Sequence, residues 1–581
     1  MVAALLLPRG ARAGIATSEL CSGDPCVITR DHNLDTGSAL ALDFGEADVI
    51  VEATLTLDAT DVTFIARSFE IRQRGQIRGD GDVVIQVAGD VRLDGKRSNG
   101  TVRLFGDGTT LSIDSLGSVF ANGSIRLVAN DADSDGGTIS IAAATDVELR
   151  GEMEGIAGNF GEGGSLEIEA GRRVVVSGAL DLNGGEFGGG SVLVTAGGSV
   201  IFDSAVLDGN GELSDGGAFE INAGGDVFLF QRIRNRGSGT SAEDCGDGGD
   251  VDIASHGLLQ IGGAVDVRAR IGDCCGGSIN LSAAQIILNS PLSAMSDGGD
   301  GCGGDVSIDV SESLECANTA SIDVHGADPS GDLSIASGGD VSAQAGCTVD
   351  ASGPDGSIEV RSTGDIAIEG NWRAGGSSVA AIATGTAGTG AAIPLVELSA
   401  CRVTIGSNAS IATTGSNTAN RITALGGITI LGDLRAGLAN ILTFPPGVTP
   451  LISGIVEPDA SEVADSALVP CIALPTTTPT TAPTTTATPV ATATATMHPP
   501  ATPTSPRPTA TARPNDCRLP CPADCNGDCQ VSIGELIRAV QISLGETEIS
   551  QCAAADRDRN GTVSIADLIS AVGSALRGCS L

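Results

Sequence analysis

Gly-Gly pairs begin at positions 136, 163, 189, 216, 248, 276 and 303, at intervals of 27, 26, 27, 32, 28 and 27 residues. Each pair opens an alternating segment: Ile139/Ile141, Leu166/Ile168, Val192/Val194, Phe219/Ile221, Val251/Ile253, Ile279/Leu281 and Val306/Ile308. Period-two alternation marks a half-buried strand. A second segment follows at constant offset, with Val147/Leu149 recurring as Val174/Val176 and Val200/Phe202. A shorter third, such as Leu180/Leu182, closes the unit. A unit this short cannot bury its own apolar face. Stacking does so, each strand pairing in parallel with its copy in the next unit. Three strands and three turns per unit describe a parallel β-helix, about 15 coils making a rod on the order of 70 Å long. A propeller or sandwich would instead ask for antiparallel hairpins, two-residue Asn-Gly or Asp-Gly turns and longer repeats.

Composition agrees. The 581 residues include 82 Gly, 12 Phe, one Trp and no Tyr. That fits regular repetition better than an aromatic-centred globule. The net charge of −40 argues against nucleic acid and anionic membranes and favours cations. Sixteen Cys point to an exported protein, secreted or at the cell surface. Met1-Val2-Ala3-Ala4-Leu5-Leu6-Leu7, with Ala11-Arg12-Ala13, reads as the tail of a secretory signal over 1–16. It lacks a basic leading region, which suggests a start site assigned too late. No apolar run is long enough for a transmembrane segment.

Cys245, Cys274/Cys275 and Cys302 lie just before Gly-Gly pairs, at one turn of three successive coils. Adjacent coils are about 4.8 Å apart, inside the reach of a disulfide. Bridges from Cys274 or Cys275 to Cys245, to Cys302, or to both are expected. A zinc thiolate site would need four ligands in one shell. Past residue 380 the pattern loosens, and Cys401 and Cys471 are placed to tie down the end of the rod.

The phrase Gly190-Ser191-Val192-Leu193-Val194-Thr195-Ala196-Gly197-Gly198-Ser199-Val200 resembles the right-handed β-helices of secreted haemagglutinin and filamentous-adhesin-type proteins. The resemblance spans roughly 35–440. It implies surface or extracellular placement, not a particular ligand.

Residues 475–514 are almost wholly Thr, Pro and Ala. Such a chain stays extended and cannot bury a core. Beyond it come two calcium-type loops, 32 residues apart. The first offers Asp524, Asn526, Asp528, the Gln530 carbonyl and Glu535. The second offers Asp556, Asp558, Asn560, the Thr562 carbonyl and Asp567. A hard cation needs six or more oxygens converging from one short loop, and these positions (1, 3, 5, 7 and 12) supply them. Ser532 and Ser564 at position 9 can act through water. Position 6 is Gly561 in the second loop but Cys529 in the first, where a left-handed backbone costs about 1 kcal/mol or more. Either the first site is weaker or a disulfide fixes that turn. Helical faces follow: Leu536, Ile537, Val540, Leu544 and Leu568, Ile569, Val572, Leu576. Folding and metal binding are then coupled.

This tail resembles a type I dockerin, two loop-plus-helix EF-hand-type repeats behind a Thr/Pro linker. The resemblance implies two bound Ca2+ ions and a cohesin-like partner. Such partners are engaged through loop positions 10 and 11, here Ile533-Gly534 and Ile565-Ala566. The expected order is a signal remnant at 1–16, a parallel β-helix of about 27 residues per coil at 17–450, a capping tail at 451–474, the disordered linker at 475–514 and the small α-helical calcium module at 515–581. No catalytic constellation stands out. His32, His256, His325 and His498 are scattered, and most Asp fall in turns, where they favour local hydrogen bonds. The functional expectation is a non-catalytic adhesive or structural rod. It engages a surface glycan or protein, and the tail docks it to a cohesin-like protein or cell-envelope component. The alternative is a β-helical polysaccharide lyase or glycoside hydrolase. An outward ladder of Asp, Arg and Lys favours that alternative; one of Ser, Thr and small residues favours the structural rod.

Overall fold

The computed structural model describes residues 16–34, 38–58, 60–95, 101–203, 207–211, 214–239, 245–270, 273–297, 300–327, 329–375, 393–415 and 418–471, and in the tail 523–525, 531, 533–543, 547, 549, 552–555, 563, 568 and 571. The expected signal remnant up to residue 15 and the linker at 475–514 lie outside them. The chain divides into two compact units, between residues 478 and 479.

The first unit is a parallel β-helix. In the coil after Gly136-Gly137 the strands are Thr138–Ala143, Val147–Leu149 and Met153–Ile156. Each pairs in parallel with its copy one coil on: Thr138–Ala143 with Ser165–Ala170, Val147–Leu149 with Val174–Val176, Met153 with Leu180. Among the described residues seventeen third strands are stacked in this way, giving a rod of roughly 80 Å at one strand spacing per rung. Alternation decides which side chains point in. Ile139, Leu166, Val192, Phe219, Val251 and Ile279 form one inward ladder, each at most 7% exposed. Every such side chain contributes roughly 1.5–3 kcal/mol of transfer free energy.

The glycine pairs have a steric cause. A Cβ on Gly217 would stand 1.7 Å from the Gly190 carbonyl oxygen, and one on Gly249 would stand 2.0 Å from that of Gly217. Gly277, Gly304 and Gly331 repeat the approach at 1.9 Å. Successive coils touch backbone to backbone there, leaving no room for a side chain.

The acidic turns are also structural. Asp215 accepts the Asp247 N–H at 2.9 Å, and Asp247 accepts the Cys275 N–H at 2.7 Å. Asp107, Asp135 and Glu162 form the same relay, as do Asp305, Asp332 and Ser357. Each carboxylate satisfies a backbone donor of the next coil that would otherwise face solvent. The turn at Asp131–Asp135, which imitates the start of a calcium loop, belongs to this system.

Cys245–Cys274 and Cys275–Cys302 are both bridged, and Cys401 is bridged to Cys471. Two further bridges brace the rod, Cys21–Cys26 at its start and Cys316–Cys347 within the core. The repeat persists past residue 380, where Ile393–Ile405 and Thr418–Ile430 each run first and second strands together. The segment expected as a cap begins as another coil: Leu451–Ile452, Val456–Glu457 and Ala460–Ala464 all pair in parallel with the coil before. At the other end a one-turn helix, Thr17–Leu20, inserts Leu20 into the core.

Candidate functional site

The tail has its own core of Ala523, Val531, Ala539, Ile542, Cys552, Ala555, Val563 and Ala571, with Leu536 and Leu568 partly buried against it. Four pairs in this set are 32 residues apart: Ala523/Ala555, Val531/Val563, Leu536/Leu568 and Ala539/Ala571. The core is therefore the loop repeat packed on itself, and Cys525–Cys552 ties the first loop to the approach of the second. The Ala523 N–H donates to the Ala554 carbonyl at 2.7 Å, joining the two entrances. The helix Ile533–Ser543 buries Ala539 and Ile542. Val540, expected on its apolar face, is 42% exposed instead. The buried stripe is turned toward Glu535, Ala539 and Ile542, because Glu535 must point back into its loop and Ala539 permits close packing.

Of the ten predicted metal ligands, Asp524 and Glu535 fall among the described residues. Glu535 is only 6% exposed, and its Oε1 accepts the Cys525 N–H at 2.9 Å. That bond brings loop positions 2 and 12 together. Asp524 and Glu535 are oxygen donors of the kind a hard divalent cation takes. Asn526, Asp528, Gln530, Asp556, Asp558, Asn560, Thr562 and Asp567 lie outside the described residues. Among the described residues no three His, Cys, Asp or Glu form a metal-holding group.

On the rod, the third strands carry a charged outward ladder. Its rungs run Arg78, Arg103, Arg126, Glu154, Asp181, Asp208, Arg234, Asp266, Ser293, Asp323 and Asp350. Arg126 pairs with Glu154 at 2.5 Å, Arg234 with Asp208 at 3.4 Å, and Asp266 with both Arg236 and Arg268. Burial pushes the Asp181 and Glu154 carboxyls above the usual range, with Arg126 opposing it at Glu154. Burial also pushes Asp266 upward, but hydrogen bonds from its two arginines outweigh it and the carboxyl lies low. Beside this ladder Asn183 and Asn210 stack, the Asn210 amide donating to Asn183 Oδ1 at 3.1 Å. Arg234 and Arg236 border a cleft of about 750 Å³ with the two asparagines, Phe160 and Arg270.

The first-strand face differs. Its outward rungs read Ser112, Ser140, Glu167, Leu193, Glu220, Asp252, Asn280, Ser307 and Ser334. Small and acidic residues dominate it, and a shallow groove of about 950 Å³ crosses small side chains such as Ala143, Ala170 and Ala196. One face thus carries the Asp/Arg ladder and the other a largely Ser and acidic one. Trp372, a candidate sugar platform by type, is 2% exposed and belongs to the core. Among the described residues the exposed aromatics are Phe160 (43%), Phe187 (67%) and Phe230 (48%); Phe160 and Phe187 lie one coil apart in the same turn. Their 27-residue spacing is visible in the sequence, although strand alternation does not mark them.

Among the described residues no helix is long and apolar enough to cross a membrane. Several disulfides accompany this, a combination compatible with an extracellular setting. Compared with known proteins, the chain matches no family model, no curated protein and no solved structure.

Proposed function

We propose that the chain is an exported modular protein whose β-helical rod presents a ligand-binding surface and whose dockerin-like tail is ordered by two calcium ions. The tail docks the rod to a cohesin-like protein or a component of the cell envelope. The observation that carries this reading is the self-matched tail core at a 32-residue offset, with Glu535 closed onto the start of its loop. Two such loops whose core residues pack on their copies make a unit whose folding and metal binding are one event. Calorimetric titration of Ca2+ into the full chain tests it. Two sites are expected, with Asp524→Ala and Asp556→Ala each removing one. No calcium-dependent heat in the intact chain would refute the reading.

A second reading, a β-helical carbohydrate-active enzyme, is favoured by Asp181. Burial holds its carboxyl toward the protonated form, while on the next rung Asp208 is ion-paired with Arg234. Carboxyls in contrasting environments can divide acid and base roles. Release of reducing ends from a polysaccharide, abolished by Asp181→Asn, would establish it. Equal release by wild type and variant would dismiss Asp181 as the acid.

A further inference from the structure

The cleft over the third strands stands out against the charge of the molecule. The chain carries −40 overall, yet three guanidiniums converge here within two neighbouring coils. We propose that this cleft binds a carboxylate-bearing sugar polymer, a uronate chain, with its acid groups on Arg234, Arg236 and Arg270. The inference rests on the reading of the rod as a ligand-presenting surface and names the ligand class.

Several independent features converge. Arg234 ends the strand Ile233–Arg234 and Arg236 follows two residues on, with burial alternating through both, so their side chains emerge on the same side. Each has one carboxylate partner, Asp208 and Asp266 respectively, which fixes the guanidinium without exhausting its five donors. Both retain a buried Nε–H with no hydrogen-bond partner among the described residues. Arg270, from the following coil, is exposed and has no ion-pair partner among the described residues. A planar fork of donors matches a carboxylate better than a hydroxyl.

The remaining lining suits a sugar rather than an acidic peptide. The Asn183 amide gives one N–H to Asp181 at 2.7 Å, and the Asn210 amide gives one to Asn183, leaving each a second N–H for a hydroxyl. Phe160 supplies an apolar plate at the rim, 43% exposed, against which the C–H face of a ring can lie. The volume, about 750 Å³, falls in the usual range for a small-ligand site and holds a short oligosaccharide. Stacked rungs repeat roughly every 4.8 Å, a spacing comparable to one sugar residue. A nucleic acid places a charge about every 1.7 Å of helix axis, and the −40 field repels so dense a polyanion more strongly than a chain with one charge per sugar.

The test is affinity electrophoresis of the full chain through gels containing polygalacturonate, polyglutamate or a neutral β-glucan. All gels contain EDTA, so that the tail and any calcium bridging are silent. Retardation is expected in polygalacturonate alone. Arg270→Ala, which breaks no ion pair among the described residues, is expected to weaken it about tenfold, the value of one charge-assisted hydrogen bond. Phe160→Ala is expected to weaken it as well. Absence of retardation overturns the proposal, as does equal retardation by polyglutamate or retardation unchanged in both variants. The calcium titration reads the tail separately, so a failed cleft and a failed calcium module are distinguishable.

Discussion

Gly217→Ala isolates the contact that lets one coil sit on the next. The added Cβ would stand 1.7 Å from the Gly190 oxygen, half the 3.4 Å at which ordinary contact begins, and 3.0 Å from the Gly209 oxygen. Both obstacles are backbone, so no side chain can rotate away. The coil must shift by more than an ångström, which breaks register with its parallel neighbours or strains their hydrogen bonds. Overpacking of this kind costs about 1–3 kcal/mol, and a backbone clash belongs at the upper end, about 3 kcal/mol. Gly225 lies in the same coil, and its Cβ would meet nothing closer than 3.1 Å. Gly225→Ala is therefore expected to cost under about 1 kcal/mol. Urea unfolding followed by far-ultraviolet circular dichroism reads the difference. Fluorescence of Trp372, the only tryptophan and a core residue several coils away, is the second probe. In a stack governed by nearest-neighbour terms the two probes should separate in Gly217→Ala. Equal midpoints for the two variants would refute the steric account of the glycine pairs.

Three further outcomes follow from the same geometry. Removing the Cys525–Cys552 bridge, which spans 27 residues, is expected to cost the tail up to about 3.5 kcal/mol by loop entropy, read as easier urea melting of the Cys525→Ser/Cys552→Ser chain in the presence of calcium. His325 is hydrogen-bonded through Nδ1 to Asp323 at 2.6 Å, and that carboxylate raises its pKa above the ordinary 6.5. Its stabilisation is complete below the unfolded value and is lost as pH rises through the folded one; an NMR titration should show the raised value and its fall in Asp323→Asn. Asp48 is held down to about 2, first by the Arg67 hydrogen bond and next by Ser68. Its contribution is present above the ordinary 3.8 and lost as pH falls toward 2, so Arg67→Gln should flatten the pH dependence of stability across that window.

The rod was legible because two signals agree through its central coils. The glycine pairs mark where coils touch, and alternation marks which side chains enter the core. The Cys245, Cys274, Cys275 and Cys302 bridges followed, since these residues share one station of the repeat. Cys316 and Cys347 do not: one ends a strand and the other precedes a strand on a different face, so the period gives no hint of their contact. The charged ladder escaped notice for a related reason. Many third strands are only two residues long, too short for a periodic signal, and their outward positions align only once the coil register is known. In the tail the loop spacing could be read, but the helix face was misphased at Val540. Apolar residues alone set the expected stripe, whereas Glu535 and Ala539 occupy the buried side.

Hydrogen exchange on the full chain, with calcium and then with EDTA, tests the central claim of a calcium-independent rod joined to a calcium-ordered tail. The account predicts slow amides in rod strands such as Ser191–Ala196 under both conditions. Amides of the helix Ile533–Ser543 should be slow with calcium and fast without it. Equal protection of that helix in EDTA would contradict the account.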